Sequence, residues 1–411
     1  MSAGADFFAL SDAQRTAFSW LEKPYLKAVV AALAAAAPSG SRFVGGCVRD
    51  SLMGAAPKDF DIATVLTPQE VIEAVKAAGL RAAPTGIDHG TITVIADHRG
   101  VEVTTLRADV STDGRRATVA FTKDWAVDAA RRDFTINAIY LTSDGYLFDP
   151  AGGLPDIQSR SVRFIGDAEA RIREDYLRIL RFFRFGARFS DEFDREGLAA
   201  VTRLRDGVTS LSAERIGAEF ARILSLPRAA FALEAMAQAG VLEKIWPTPA
   251  DIDAVRRIKD LAADASPPVI LAALFGDAGD GIGAALRLSN AEKATRNAAL
   301  KGATLVENGL EDKAVRALMY RLGRDVFFDA IAVAGATGKI DIKEYARLSA
   351  VGDAWVPPPT PFSGKKVLAY GVKPGPDIAD ILTAAEAAWI AEDFPPDPRP
   401  ALILAEIIAK R

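Results

Sequence analysis

Two short segments within the first 61 residues contain the residue types that handle phosphate. The first, Gly45-Gly46-Cys47-Val48-Arg49-Asp50, follows a predicted strand and opens a predicted helix. Its two glycines allow backbone N–H groups to approach an anion closely, and the start of a helix adds positive potential there. Arg49 supplies a fork of N–H donors that suits a phosphate group. A plain turn followed by a surface arginine has the same pattern, so this segment alone does not identify a phosphate site.

The second segment, Lys58-Asp59-Phe60-Asp61, places two carboxylates two positions apart. Residues at this spacing share one face of a strand, which predicts that Asp59 and Asp61 project together while Phe60 turns into the core. Neighbouring carboxylates repel each other unless a cation lies between them, so the pair predicts a divalent-metal site. An isolated Asp-x-Asp pair is also typical of solvated turns, but the diglycine segment just upstream favours the metal interpretation.

Together the two segments resemble the polymerase-β-like nucleotidyltransferase superfamily. The resemblance implies that Gly45 and Gly46 hold a nucleoside triphosphate, with Arg49 beside them, and that Asp59 and Asp61 bind two Mg²⁺ ions. It also implies a third catalytic carboxylate on a neighbouring strand. Glu102 is the candidate, and an ordinary outward-facing strand residue is the alternative. In such a site one metal lowers the pKa of the attacking ribose hydroxyl, while the other neutralises the triphosphate and the leaving pyrophosphate.

An arginine-rich octet, Arg131-Arg132-Asp133-Phe134-Thr135-Ile136-Asn137-Ala138, lies on a predicted helix. It resembles the second sequence motif of the class II tRNA nucleotidyltransferases and bacterial poly(A) polymerases. The resemblance assigns Arg132 to the bound nucleotide, and Asp133 and Asn137 to bracing the site. Upstream, Asp113-Gly114-Arg115-Arg116 resembles the flexible loop of full CCA-adding enzymes, which implies a role in the switch from C to A addition.

A further cluster, Glu174-Asp175-Tyr176-Leu177-Arg178, continues to Arg181 and Arg184 on a predicted helix. Spacings of three place these groups on neighbouring helical turns, a pattern that a solvated, salt-bridged face also shows. Cytosine and adenine share an exocyclic amino donor next to a ring-nitrogen acceptor, so Asp175 can accept from the first while Arg178 donates to the second. Guanine and uracil invert both positions, and each buried polar group left unpaired costs about 1–3 kcal/mol.

This cluster resembles the nucleotide-selecting motif of the same family. In that family the later arginines also contact the nucleotide, so Arg181 and Arg184 join the predicted binding site. The segment at 212–219 resembles the next family element, and we expect it to brace the structure rather than to take part in the chemistry.

The order of the predicted elements indicates an α/β (α+β) nucleotidyltransferase head with a mixed sheet, followed by an all-α neck, body and tail. Short β-rich runs occupy residues 41 to about 150, with helices predicted at 68–78 and 125–139. After Val162 only helical runs follow, one of them at 167–188. We expect three parts: a catalytic head at 1–155, a helical neck with the nucleotide-selecting helix at 156–245, and a helical, tRNA-binding body and tail at 246–411.

The composition limits the classes of protein to which the chain can belong. A net charge of −4 excludes a uniformly basic nucleic-acid coat, so RNA contacts must come from local basic patches. The single cysteine, Cys47, excludes an internal disulfide and favours a reducing compartment. No apolar run is long enough to span a bilayer and no basic leader is evident, so we expect a cytoplasmic protein without a membrane segment.

Taken together, the resemblance implies an enzyme that adds C, C and A to the 3′ end of tRNA from CTP and ATP with Mg²⁺. A bacterial poly(A) polymerase shares the catalytic residues and is the closest alternative. The loop at 113–116 and the acidic balance favour CCA addition. A non-catalytic RNA-binding protein on the same scaffold is the third interpretation, and the intact Asp59 and Asp61 speak against it.

Overall fold

The computed structural model describes residues 7–112, 117–279 and 281–410, which divide into two compact units. The first unit comprises Met1–Glu219 together with Phe231–Ile245. The second comprises Phe220–Ala230 together with Trp246–Arg411. All the strands of the described residues belong to the first unit, so the predicted change from mixed to purely helical structure along the chain is confirmed.

A mixed sheet organises the first unit. The strands of the described residues are β1 Phe7–Ala9, β2 Ser41–Val44, β3 Asp61–Thr64, β4 Arg81–Gly86, β5 Thr91–Ala96, β6 Arg99–Thr105, β7 Arg107–Thr112, β8 Ala117–Phe121, β9 Tyr140–Leu141 and β10 Tyr146–Phe148. Eight of them form one sheet in the order β1-β10-β9-β2-β3-β6-β5-β4, while β7 and β8 form a separate antiparallel pair. Within the large sheet β3 and β6 are parallel, whereas β2 is antiparallel to both of its neighbours.

Helices precede, interleave with and follow these strands. Those of the first 245 residues are α1 Asp12–Ala17, α2 Pro24–Ala36, α3 Gly46–Leu52, α4 Pro68–Ala77, α5 Trp125–Ala130, α6 Gly153–Gln158, α7 Ala168–Glu174, α8 Leu177–Phe189, α9 Arg195–Arg203, α10 Ala213–Leu224, α11 Ala229–Gln238 and α12 Leu242–Ile245. The apolar face of α8 is fully buried at Leu180, Phe182 and Phe183, and the ring of Phe182 stacks 5.4 Å from that of Phe164. This packing fixes α8, which carries several of the predicted site residues.

The residues of β6 show which face of the sheet is covered by helices and which is exposed. Val101 and Val103 are fully buried, because alternate residues of a strand share a face and helices α2 and α4 pack on that side. Burying side chains of this size contributes about 1.5–3 kcal/mol each. Glu102 lies between the two valines, so its side chain points to the other face and is exposed.

The second unit is helical throughout its described residues. Beyond the segment that it shares with α10 and α11, it contains α13 Ile252–Leu261, α14 Pro267–Phe275, α15 Ile282–Ala285, α16 Asn290–Thr304, α17 Asp312–Leu322, α18 Arg324–Ala336, α19 Ile342–Ala354, α20 Gly364–Ala369, α21 Asp377–Ala391 and α22 Arg399–Ala409. Helix α14 is apolar on all sides and buried from Pro268 onwards, as expected of a central core helix. A cluster around Trp389 packs α20, α21 and α22 together. In the ranges that the structure describes, every helix is too short or too polar to cross a membrane.

Two helix predictions are wrong in their bounds. The helix predicted at 125–139 ends at Ala130, because the backbone around Asp133 and Thr135 bonds to residues 163–165 instead of continuing the helix. The helix predicted at 167–188 is two helices, α7 and α8, separated at Asp175, whose backbone is extended. Both breaks lie within the motifs that were singled out for chemistry.

Candidate active site

The diglycine turn joins β2 to α3. Gly45 has a φ of +74°, a left-handed conformation that favours glycine, and Gly46 begins the helix. A Cβ added to Gly45 would lie 3.9 Å from Nη1 of Arg132, so this guanidinium stands next to the turn. Both glycines line a cavity of about 610 Å³. The predicted phosphate-binding turn therefore faces open space and has an arginine beside it.

Arg49 is buried under the turn, and its donors are engaged by the protein. Its Nη1 donates to Oδ1 of Asn137 at 2.6 Å, and its Nε donates to Oδ1 of Asp50 at 2.8 Å. Its guanidinium also stacks over the ring of Phe189, 4.3 Å from the centroid. Arg49 lines the cavity, but its guanidinium N–H groups are hydrogen-bonded within the protein, where they stabilise the position of α3.

The predicted acidic residues lie beside the same turn. Asp61 is the first residue of β3 and pairs in register with Val44, the last residue before Gly45. On its other side Asp61 pairs with Glu102 of the parallel strand β6. Asp59 lies in the bend just before β3, so the prediction that both aspartates belong to the strand is wrong for Asp59. The register thus brings a third carboxylate, Glu102, next to Asp61.

Burial and the neighbouring acids both raise the pKa of Asp61, the central member of this group. Burial raises the pKa of Asp61 to about 6, and the charges of Glu102 and Asp59 add to that effect, while Arg132 acts against it. Phe60, between the two aspartates, is buried as predicted, with its ring 4.9 Å from that of Trp20. Within the described part of the chain none of the three carboxylates forms an ion pair.

These carboxylates fit a divalent cation that the substrate helps to hold. Mg²⁺ is usually bound in proteins by one or two carboxylates together with substrate phosphates and water, rather than by a cage made of protein alone. The described residues contain no group of three or more His, Cys, Asp or Glu side chains that would hold a metal ion by themselves. A cation bound beside Asp61 would offset the negative charges of Glu102 and Asp59.

Asp128 organises the arginines of the octet and was not predicted. Its side chain is 1% exposed and accepts from Nη2 of Arg131 at 2.6 Å, from Nη2 of Arg132 at 3.1 Å and from the hydroxyl of Tyr140 at 2.8 Å. It also accepts the backbone N–H of Arg107 at 3.1 Å. Although burial opposes it, the two guanidinium groups hold the pKa of Asp128 at about 2. A signal was present in the sequence, because Asp128 precedes Arg131 and Arg132 by three and four positions on α5 and its end.

Asp133 and Asn137 hydrogen-bond to each other, and Asp133 also pairs with Arg181. Nδ2 of Asn137 donates to Oδ1 of Asp133 at 3.0 Å, and Nε of Arg181 donates to Oδ2 of the same carboxylate at 2.7 Å. Arg181 lines the cavity. Arg184 instead donates to the buried carboxylate of Glu219, and it is not among the residues that line the cavity.

Asp175 lies at the junction between α7 and α8, and it lines the cavity together with Arg178. Oδ1 of Asp175 accepts the backbone N–H of Leu177 at 3.1 Å, so the residue helps to begin α8. Arg178 donates through Nη1 to Glu174 and through Nη2 to the carbonyl of Arg131 at 3.1 Å. The carboxylate and the guanidinium of the proposed base-reading pair are therefore both positioned by protein contacts.

Most of the predicted binding residues line one cavity. Asp59, Asp61 and Glu102 are not among its lining residues, but the register of β2 and β3 places Asp61 next to its glycine turn. The cavity lining also contains residues that were not predicted: Arg107, Arg131, Leu177, Phe185 and Arg215. Seven arginines and two aspartates in this lining indicate a site for a polyanion that carries a polar base. The loop at 113–116 lies outside the described residues.

Similarity to known proteins agrees with this geometry. Residues 41–163 match the family described as the Poly A polymerase head domain, and residues 192–252 match the one described as the probable RNA and SrmB-binding site of polymerase A. A mitochondrial CCA tRNA nucleotidyltransferase 1 of Mus musculus is 35% identical over 363 residues, which cover 85% of this chain and 82% of that protein. The chain belongs to the CCA-adding tRNA nucleotidyltransferase family.

Other members of the family extend the likeness over almost the whole chain. A CCA-adding enzyme of Levilactobacillus brevis is 30% identical over 384 residues, which cover 88% of this chain and 92% of that protein. The crystal structure of the Bacillus stearothermophilus CCA-adding enzyme in complex with CTP has a TM-score of 0.72 and 24% identity, and it covers 94% of this chain and 99% of its own. The earlier resemblance and the predicted fold are confirmed, and the chain is a nucleotidyltransferase.

Proposed function

We propose that this chain adds C, C and A to the 3′ end of tRNA from CTP and ATP, with release of pyrophosphate, and that the site described above performs the reaction. Family membership over most of the chain supports the activity. The observation that carries the assignment of the site is the register of β2 and β3. It places Asp61 opposite Val44, next to the glycines that line the cavity.

Asp59 and Asp61 would hold Mg²⁺, with Glu102 as the third carboxylate of the site. When bound there, Mg²⁺ lowers the pKa of the attacking ribose hydroxyl and neutralises the triphosphate and the pyrophosphate that leaves. Gly45 and Gly46 let the triphosphate approach the backbone at the start of α3. Arg132, held beside Gly45 by Asp128, is positioned to face the same phosphates.

Asp175 and Arg178 would select the base. An acceptor and a donor on neighbouring residues of the cavity match the amino group and ring nitrogen that cytosine and adenine share. The contacts with Glu174 and the Arg131 carbonyl orient Arg178, and the contact with the Leu177 N–H restrains one oxygen of Asp175. This arrangement rejects uracil and guanine, because their donor and acceptor positions are reversed.

We also propose the division into a catalytic head at 1–155, a neck at 156–245 and a tRNA-binding body and tail at 246–411. The head contains the sheet and the carboxylates, and the neck contains Asp175 and Arg178. Arg181 joins them as a nucleotide-binding residue. The contact between Arg184 and Glu219 supports a bracing role for Arg184 at the back of α8 instead.

A cytoplasmic location is the last part of the proposal. It rests on the single cysteine, Cys47, which leaves the chain without an internal disulfide and fits a reducing compartment. Fractionation of cells that express the chain with a C-terminal tag tests it: recovery with an organelle or envelope fraction contradicts the assignment.

The decisive experiment offers the purified chain a tRNA that lacks its 3′ end. CTP, ATP, UTP and GTP are supplied separately and together with Mg²⁺, and the products are sequenced. We expect two C residues with CTP alone and a single terminal A when ATP is added.

The other interpretations give different products in the same assay. Repeated A addition with ATP alone would indicate a poly(A) polymerase. A complete lack of extension, with tRNA binding intact, would indicate an RNA-binding protein on this scaffold. An Asp61→Ala variant, compared with Glu73→Ala at an exposed acid on α4, shows whether any extension depends on the proposed carboxylates.

A further inference from the structure

Arg215 reaches the cavity although its segment was expected to serve the structure only. It lies in the first turn of α10, and its side chain is 45% exposed. Its Nη2 atom lies 3.0 Å from Oδ1 and 2.7 Å from Oδ2 of Asp175. The two residues are 40 positions apart in the chain, and both line the cavity. One nitrogen of Arg215 therefore bridges both oxygens of the carboxylate that we propose reads the base.

The hydrogen bonds of Asp175 restrict which of its carboxylate oxygens can accept a further hydrogen bond. An ionised carboxylate offers about four lone-pair positions on its two oxygens. Oδ1 accepts from Arg215 and from the backbone N–H of Leu177, whereas Oδ2 accepts from Arg215 alone among the residues that the structure describes. The remaining capacity therefore lies on Oδ2. A base amino group would meet a single acceptor of fixed direction.

We propose that Arg215 is a specificity-determining positioning residue, which holds the Asp175 carboxylate in the orientation that accepts the amino group of cytosine or adenine. The inference rests on the proposed role of Asp175. Without Arg215 the carboxylate can rotate about its side-chain bonds, and a rotated carboxylate can also accept the ring N–H of uracil. Arg215 thus acts on the choice of base through Asp175, rather than by touching the reacting phosphate.

An ion pair of this exposure is not expected to matter for folding. Pairs between exposed side chains contribute little to stability, because water and salt screen them and ordering the side chains has an entropic cost. The pair of Arg203 with Glu169 is comparable, since its arginine is 59% exposed, but neither partner lines the cavity. Arg203→Ala is therefore a matched control for the loss of a surface arginine.

The test measures kcat and KM for each of the four nucleotides with a tRNA that ends before its first C. The variants are Arg215→Ala, Arg215→Lys, Asp175→Ala, the double variant Arg215→Ala/Asp175→Ala, and the control Arg203→Ala. Thermal unfolding of each variant confirms that it is folded. We expect Arg215→Ala to lower the preference for CTP over UTP about tenfold, mainly through KM, because hydrogen bonds to charged groups are among the strongest in proteins.

Arg215→Lys keeps the positive charge and should restore part of the preference, while Arg203→Ala should leave it unchanged. The double variant should be no less selective than Asp175→Ala, since Arg215 acts through that residue. If Asp175→Ala relaxes the choice of base and Arg215→Ala does not, the inference is wrong and the proposed function stands. An equal loss of activity on all four nucleotides in Arg215→Ala would also overturn it. If Asp175→Ala itself remains selective, the proposed role of Asp175 fails, and the inference fails with it.

Discussion

Asp61 and Asp128 are both buried or partly buried aspartates of the catalytic head, and their surroundings are opposite. Asp61 faces Glu102 and Asp59, and burial among these charges raises its pKa to about 6. Asp128 accepts from Arg131 and Arg132, which hold its pKa at about 2 despite burial. Arg132 offsets the raised pKa of Asp61 only in part, whereas Asp128 accepts from two arginines.

This difference indicates that the two aspartates have different roles in one site. A carboxylate surrounded by other acids is poised to receive a cation from outside the protein. A carboxylate that is fully occupied by arginines cannot bind a cation, but it fixes where those arginines point. The first carboxylate suits a metal ion. The second orients arginine side chains that can bind a phosphate. A substrate made of a metal ion and a triphosphate needs both.

The largest expected effect is on catalysis when Asp61 is changed. Asp61→Ala should lower nucleotide incorporation by about a thousandfold or more, because losing a metal ligand removes several kcal/mol of transition-state stabilisation. Its melting temperature without Mg²⁺ should stay the same or rise, since the ionised side chain is disfavoured in the folded protein. Single-turnover incorporation and thermal unfolding measure the two effects. Normal incorporation would contradict the metal assignment.

Asp128→Ala should have the opposite profile, in which the fold suffers as well as the activity. Removing one partner of a buried ion pair leaves uncompensated charge, which destabilises a protein by about 3–5 kcal/mol. Here two arginines and the Tyr140 hydroxyl would lose their acceptor. Urea unfolding of the variant and of the exposed control Glu73→Ala measures the change. Equal stability of the two variants would show that Asp128 is not a structural centre.

Lowering the pH of the wild-type protein should affect Mg²⁺ binding at Asp61 before it affects the stability that Asp128 provides. Asp61 becomes protonated as pH falls below about 6, so Mg²⁺ must displace a proton and its apparent affinity should fall up to about tenfold per pH unit. Asp128 contributes stability above its ordinary pKa of 3.8, and that contribution is lost only as pH falls towards about 2. Between pH 7 and pH 5, Mg²⁺ titrations should therefore shift while the fold stays intact. Unfolding in this range that parallels the loss of Mg²⁺ affinity would contradict the separation.

The smallest expected effect is that of Tyr140→Phe. The change removes one hydrogen bond, of 2.8 Å, to Oδ2 of Asp128 and leaves both arginines in place. A hydrogen bond to a charged group contributes about 1.5–3 kcal/mol, so this variant should lie between the wild type and Asp128→Ala in stability. Incorporation should fall less than in either aspartate variant. A loss as large as that of Asp128→Ala would mean that the tyrosine, rather than the arginines, holds the carboxylate.

Short-range patterns were sufficient to predict the parts of the site that depend on backbone geometry. The diglycine turn needs a residue that tolerates a φ of +74°, and only glycine does so readily, so Gly45 is visible in the sequence. The period of a strand placed Phe60 in the core, and the helical segments after Val162 predicted the helical structure that follows the sheet. The predicted helix through the octet failed because residues 133–135 bond to a distant segment, which no local pattern reports.

Residue types and their local spacing in the sequence were thus enough to identify candidate binding residues: the two glycines, Arg49 after them, and the aspartate pair. The pairing of these groups was decided by the fold, because the partners come from remote positions. Arg181 meets Asp133 across 48 residues and Arg215 meets Asp175 across 40, and the parallel register of β3 and β6 brings Glu102 to Asp61. A carboxylate can bind a metal ion or orient an arginine, depending on the charges that surround it in space. Only the folded structure determines which charged groups those are.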